Sequence, residues 1–175
     1  MLYVNAVVAE RGATQFALPG AEARLRTRRQ DDEDSRTLVL GATDPANPWG
    51  SLLPWPREAD AVFAPGRAAQ RVPGARVVLH EGKLLAWLGR GGQAMVTFLP
   101  KEEPEASHAS KALAAALVDM ARRRSRIAML ITIDGAPALQ SPFAKVLAEH
   151  GFAARRGALI YHRGGGQAAS APTLR

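Results

Sequence analysis

Thr37-Leu38-Val39-Leu40-Gly41-Ala42-Thr43-Asp44-Pro45-Ala46-Asn47-Pro48-Trp49-Gly50, running on to Leu53-Pro54-Trp55-Pro56, is the stretch on which the reading of this chain turns. An apolar, β-prone run passes directly into a segment that packs Pro, Asn, Asp and Gly around two tryptophans. Each proline fixes φ, lacks an N–H donor and pushes the preceding residue out of the helical region. A strand followed by a shaped, irregular loop is therefore expected. Loops that leave a strand on a rigid scaffold carry binding and chemistry disproportionately, which makes this loop the first functional candidate.

Downstream, strand-like runs recur at Ala75 to His80, Leu84 to Leu88 and Ala94 to Leu99. Glu81-Gly82 is a two-residue hairpin link, and Arg90-Gly91-Gly92 supplies the glycines of a second turn. Three strands joined by tight turns predict an antiparallel meander. The intervening stretch from Glu58 to Gly74 holds Pro65, Gly66 and Pro73 and is expected to be irregular. After Pro100 the period changes. Ser107 to Arg124 places Leu113, Ala116, Leu117 and Met120 at helical spacing, with basic residues in the last turn, where they suit the negative end of the helix dipole. Ile127 to Ile133 reads as one buried strand ending at Asp134-Gly135. Ser141 then caps a short helix with Pro142 in its first position, and Gly151 stops it after His150. Phe152 to Arg155 and Ala158 to His162 read as a closing hairpin. The fold class expected is α+β: a small antiparallel β-barrel or strongly curved sheet over residues 36–163, with one long and one short helix.

Upstream, residues 1–29 hold two short β-like runs, Leu2 to Val8 and Thr14 to Leu18, and a helix-like piece around Ala21 to Thr27. Gln30 to Ser35, with four consecutive acids at Asp31 to Asp34, reads as an acidic linker at 30–35, because like charges keep such a run extended. Residues 164–175, which begin with three glycines, are expected to form a disordered tail.

A chain of 175 residues can bury a sizeable core. With no cysteine there is no disulfide framework and no thiolate chemistry. No apolar run is long enough to span a bilayer, and the first ten residues lack the order of a signal peptide. The expectation is a soluble, cytoplasmic protein with no membrane partner. The net charge of +7 comes almost wholly from arginine, 19 residues against 4 lysines. Arginine's planar fork grips phosphate, so the surplus admits nucleic acid as a partner, although an Ala-, Gly- and Arg-rich composition also follows from codon bias.

Candidate chemistry is sparse. There is no Gly-x4-Gly-Lys-Ser/Thr phosphate loop and no Asp-Glu-x-His or Asp-Glu-Ala-Asp run, so the chain cannot by itself hydrolyse ATP. His80, His108, His150 and His162 lack metal-ligand spacing, and no Gly-x-Ser-x-Gly elbow occurs. Asp44, in the loop beside Asn47, and Asp134, at a strand end, are the candidate catalytic carboxylates: a partly shielded acid can act as general base or steady an oxocarbenium-like sugar. Both also suit turns, bonding their own backbone. Trp49 and Trp55 are candidates to stack on unpaired bases, at roughly 1–3 kcal/mol per base, or to plug the end of a barrel. Trp87, in an alternating strand, belongs to the core. Arg122, Arg123, Arg124 and Arg126 form the best phosphate-contact cluster, with a solvated helix terminus as the alternative.

Four ordered stretches carry a family resemblance. Thr43 to Gly50 with Leu53 to Pro56 resembles the "TDPANPYG…LPWP" signature near the C-terminus of the large helicase-related (Lhr) family of bacterial ATP-dependent DNA helicases, with Trp49 in place of the more usual Tyr. Gln15 to Ala21 with Arg24-Leu25-Arg26, Leu85 to Gly92 (Gly89 replacing an acid), and Ile133 to Leu139 with Gly151-Phe152 and Arg156-Gly157 resemble further stretches in the same order. The resemblance implies that residues 1–29 are the wing end of a partial winged helix and that 36–163 form a C-terminal barrel module. It implies an accessory role in DNA repair, binding DNA, single-stranded above all, or assembling a homo-oligomer. Its partners would be upstream helicase and winged-helix domains. ATP and Mg would belong to the absent motor, with no cofactor in this chain. The family's C-terminal region is similar to winged-helix glycosylases of the AlkZ type, and uracil excision is ascribed to some members, so part of a uracil-type DNA glycosylase site through Asp44 or Asp134 is the alternative. A purely structural assembly module is the third reading.

Overall fold

β1 (Thr37–Gly41), β2 (Arg76–His80), β3 (Lys83–Leu88) and β4 (Ala94–Thr97) pair antiparallel in succession, and the expected meander is present with β1 added along β2. Glu81 and Gly82 hold φ of 50° and 77°. Positive φ at both central residues matches the twist of the flanking strands, which is why this pair makes the tight β2–β3 link. The computed structural model describes residues 19–20, 23, 37–56, 68–124 and 128–162, with Arg124 described in its backbone alone. The chain divides into two units, Met1–Arg36 and Thr37–Arg175, and every named element lies in the second. The expected wing end at 1–29, the acidic linker at 30–35 and the tail at 164–175 fall outside the described residues, apart from Pro19, Gly20 and Ala23.

The long helix, α1 (Glu105–Arg124), starts two residues earlier than the apolar spacing shows. Glu103 is the reason: its carboxylate accepts the Ser107 N–H at 3.2 Å and the Ser107 hydroxyl at 2.8 Å, satisfying a donor of the first turn. After α1 come β5 (Ala128–Leu130), β6 (Thr132–Ile133), β7 (Ala136–Pro137), the short helix α2 (Phe143–Glu149), β8 (Phe152–Arg155) and β9 (Ala158–Tyr161). Ser141 Oγ accepts the Phe143 N–H at 3.3 Å, and Pro142 already has helical angles, φ −54° and ψ −31°. Gly151, at φ 91°, ends α2, and its N–H reaches the Ala148 carbonyl at 3.0 Å.

The expected barrel is not formed. Among the described residues the strands make an open six-stranded sheet, β1-β2-β3-β4-β6-β7, and a separate three-stranded sheet, β5-β9-β8. The large sheet is mixed, since β6 runs parallel to β4, a pairing that needs a crossover, and α1 provides it. The error lies in treating Ile127 to Ile133 as one strand. Ile131, 40% exposed, separates β5 in one sheet from β6 in the other. The N–H groups of Ile131 and Thr132 both turn to the Gln93 carbonyl, at 2.8 and 3.2 Å, and bring the chain alongside β4.

Both faces of the large sheet are apolar. On one, Val78, Ala86, Leu88 and Met95 pack beneath α1 through Ala109, Leu113, Ala114 and Leu117, and this cluster continues to Leu130, Leu147, Phe152 and Leu159. On the other, Val77, Leu79, Leu84, Trp87 and Val96 meet Ala42, Ala69 and Ala75, with Trp49, Trp55 and Val72 partly buried against them. The loop that follows β1 is thus a layer over the sheet and not the plug of a barrel end.

Leu113, fully buried at the centre of the first cluster, sets a stability prediction. Leu113→Ala should cost about 2–5 kcal/mol, a large share of a typical domain's stability, and should lower the urea midpoint without changing the slope. A loss below about 0.5 kcal/mol would contradict the packing described.

Candidate functional site

The loop from Ala42 through Pro56 has four prolines and so is short of N–H donors, while its carbonyls still need partners. Two side chains meet that need. Asn47 is fully buried: its Nδ2 donates to the carbonyls of Ala42 at 2.9 Å and Trp49 at 3.2 Å, and its Oδ1 accepts the Trp49 N–H at 3.1 Å. Arg71, arriving from the far side of the sequence, spreads its fork over the backbone. Nη1 donates to the carbonyls of Asn47 at 2.9 Å and Trp49 at 3.4 Å, and Nη2 to those of Asp44 at 3.1 Å and Thr43 at 3.4 Å. Nothing in the motif names Arg71. The signal that could have found it is the proline count, because a donor-poor loop calls for the side chain with most donors.

Asp44 sits in this loop as a turn former. Its Oδ1 accepts the Ala46 N–H at 2.8 Å, and its backbone carbonyl is held by both the Asn47 N–H and Arg71. Trp49 and Trp55 are partly buried on the second cluster. The Trp49 indole N–H is buried and without a partner among the described residues, whereas that of Trp87 donates to the Gln70 carbonyl at 2.9 Å. Trp55 lies close against Gly50: a Cβ there would meet the indole ring at 2.7 Å.

Asp134 is placed elsewhere, in the Asp134-Gly135 turn between β6 and β7, with φ of 51° and 81°. Its Oδ1 accepts the Thr97 N–H at 2.6 Å and its Oδ2 the Thr97 hydroxyl at 2.7 Å, so both carboxylate oxygens tie the turn to the end of β4. Asp44 and Asp134 thus sit on different turns, each engaged with its own partners, and neither is bonded to the other.

The basic cluster lies at the end of α1. Arg122 and Arg123 are exposed, while the side chain of Arg124 and all of Arg126 fall outside the described residues. Arg122 Nε donates to Tyr161 Oη at 3.1 Å, and that hydrogen bond raises the guanidinium pKa further above an already high value. Arg123 makes no ion pair among the described residues, which leaves its fork available. The histidines are spread out: His80 shares a 2.8 Å contact with Thr37 Oγ1 across β1 and β2, His150 Nδ1 bonds the Val146 carbonyl at 2.8 Å, and His108 and His162 are exposed. Among the described residues no three acids or histidines gather as a metal site, and no helix is long and apolar enough to cross a membrane.

No family model matches the chain. It is 39% identical over 145 residues to the Lhr helicase/uracil glycosylase of Escherichia coli, covering 81% of this chain and 9% of that protein. It is 38% identical over 113 residues to the Lhr helicase/probable uracil glycosylase of Mycolicibacterium smegmatis, covering 62% of this chain and 7% of that protein. The chain therefore spans less than a tenth of the length of these relatives.

The Asn47 and Arg71 contacts carry a prediction. Asn47→Ala leaves the partly buried Trp49 N–H without Asn47 and should cost about 1–3 kcal/mol, with a red shift of the tryptophan emission. Arg71→Lys keeps the charge but loses the fork, and should also loosen the loop, raising backbone amide exchange at Asn47 and Trp49. Unchanged stability in Asn47→Ala and unchanged exchange in Arg71→Lys would show that the loop is held by packing alone.

Proposed function

We propose that this chain, which the matches place with the C-terminal region of the Lhr helicase family, is an accessory module of an Lhr-type DNA helicase that contributes contacts to single-stranded DNA. ATP hydrolysis and strand movement belong to other parts of such a protein. The observation that supports this reading is the arginine end of α1, where Arg123 is exposed and unpaired among the described residues in a chain of net charge +7. An arginine fork already in solvent meets a phosphate with little rearrangement and grips it in two bonds. Arg123 is also the cleaner probe of the pair, because Arg122 is bonded to Tyr161 and its removal disturbs the fold as well as the charge.

Binding to an oligonucleotide should weaken steeply with salt, and Arg123→Ala should make the slope of log K against log salt shallower by about 0.7 for the lost phosphate contact. Binding that does not respond to salt, or is absent at low salt, would sink the proposal.

A second reading, a share in uracil excision, is favoured by the names of both relatives. Of the two carboxylates Asp44 suits it better, since its Oδ1 takes one N–H while both oxygens of Asp134 are held by Thr97. On a uracil-containing oligonucleotide, Asp44→Asn should abolish cleavage at the resulting abasic site, with Asp134→Asn less affected. Equal activity of wild type and Asp44→Asn would remove the reading.

A further inference from the structure

A pocket of about 160 Å³, partly open to solvent, lies where the two sheets meet. Its wall is built by Arg76 at the start of β2, Leu88 at the end of β3, Leu117 and Met120 of α1, Met129 of β5 and Phe152 of β8. The space follows from the chain's change of sheet at Ile131, which sets β5 apart from β2 and β3, and from the short side chains of Ala121 and Ala128 on the same wall.

We propose that this pocket binds a single-ring nucleobase together with its phosphate, that is, a pyrimidine nucleotide. Size supports this: an apolar cavity of about 150 Å³ takes one benzene ring, so this one matches a six-membered ring more closely than a fused purine. The wall chemistry agrees. It is apolar and aromatic, with two methionines whose flexible thioethers adapt to a flat ring. Among the described residues lining it Arg76 carries the charge and no acid is present, which suits an anionic group at the mouth. The exposed Arg122 and Arg123 directly follow Ala121 of the pocket wall, which extends the positive charge along the path a strand would take. In its strand-bound form the inference rests on the DNA-binding reading above, and a free pyrimidine nucleotide is the other source of the same chemistry.

The test uses the whole chain with methyl-labelled methionine and four probes: thymidine monophosphate, deoxyadenosine monophosphate, and ten-nucleotide dT and dA strands. Thymidine monophosphate should shift the methyl signals of Met120 and Met129 while leaving Met95, buried beneath α1, unmoved, and deoxyadenosine monophosphate should shift none of them. Ala128→Leu, which fills the pocket, should abolish the shifts. Arg76→Gln should weaken binding about tenfold through the lost charged contact, and it decides the matter if the leucine variant does not fold. Equal shifts with both monophosphates, or shifts that survive Ala128→Leu and Arg76→Gln, would overturn the pocket. If the dT strand binds and neither it nor thymidine monophosphate moves either methyl, the pocket inference fails and the DNA-binding reading stands. If thymidine monophosphate moves them and neither strand binds, the pocket stands as a nucleotide site and the DNA-binding reading fails.

Discussion

A sheet that is apolar on both faces has to be covered on both, and among the described residues a helix covers one of them. On the α1 side, alanines at 109 and 114 allow close approach and the helix satisfies its own backbone. The other side is covered by irregular chain rich in proline, which has no ladder to join and must find partners for its carbonyls elsewhere. Asn47 and Arg71 are therefore the condition for the second layer. Without them the tryptophans could reach the sheet only by burying bare carbonyls, at about 1–3 kcal/mol each.

Local chemistry was legible wherever it was self-contained. The apolar runs of β2 and β3, the Glu81-Gly82 turn, the long helix, and the Ser141-Pro142 start and Gly151 stop of α2 all depend on neighbours in sequence. The barrel was misread because its critical step is not local. Ile127 to Ile133 is apolar but for Thr132, with no Gly or Pro to mark a break, and what divides it is the Gln93 carbonyl, contributed by a distant turn. Periodicity reports which face a residue takes. It does not report which strand lies beside it, so the parallel β4–β6 pairing left no trace in the pattern.

The candidate site divides in the same way. That Asp44 and Asp134 suit turns follows from their following residues, Pro45 and Gly135. That Asp134 spends both oxygens on Thr97 follows only from the pairing of β6 with β4. Asn47 was visible within the loop motif, yet its burial was not, because that requires the loop to lie on the sheet.

This geometry also ranks the possible DNA contacts. A base stacked on Trp49 or Trp55 gains about 1–3 kcal/mol, but each ring already packs on the second cluster, and Trp55 lies against Gly50. Removing a packed aromatic ring typically costs about 3–5 kcal/mol, so swinging a fully packed indole out to meet a base would cost at least what it returns. These rings are only partly buried, which lowers that cost, but the missing Trp49 N–H partner is not repaid by a ring face stacked on a base. Arg123 carries no such debt, being exposed before any ligand arrives. On energetic grounds the proposed DNA contact fits the exposed end of α1 better than the tryptophan loop, whose rings pack on the sheet.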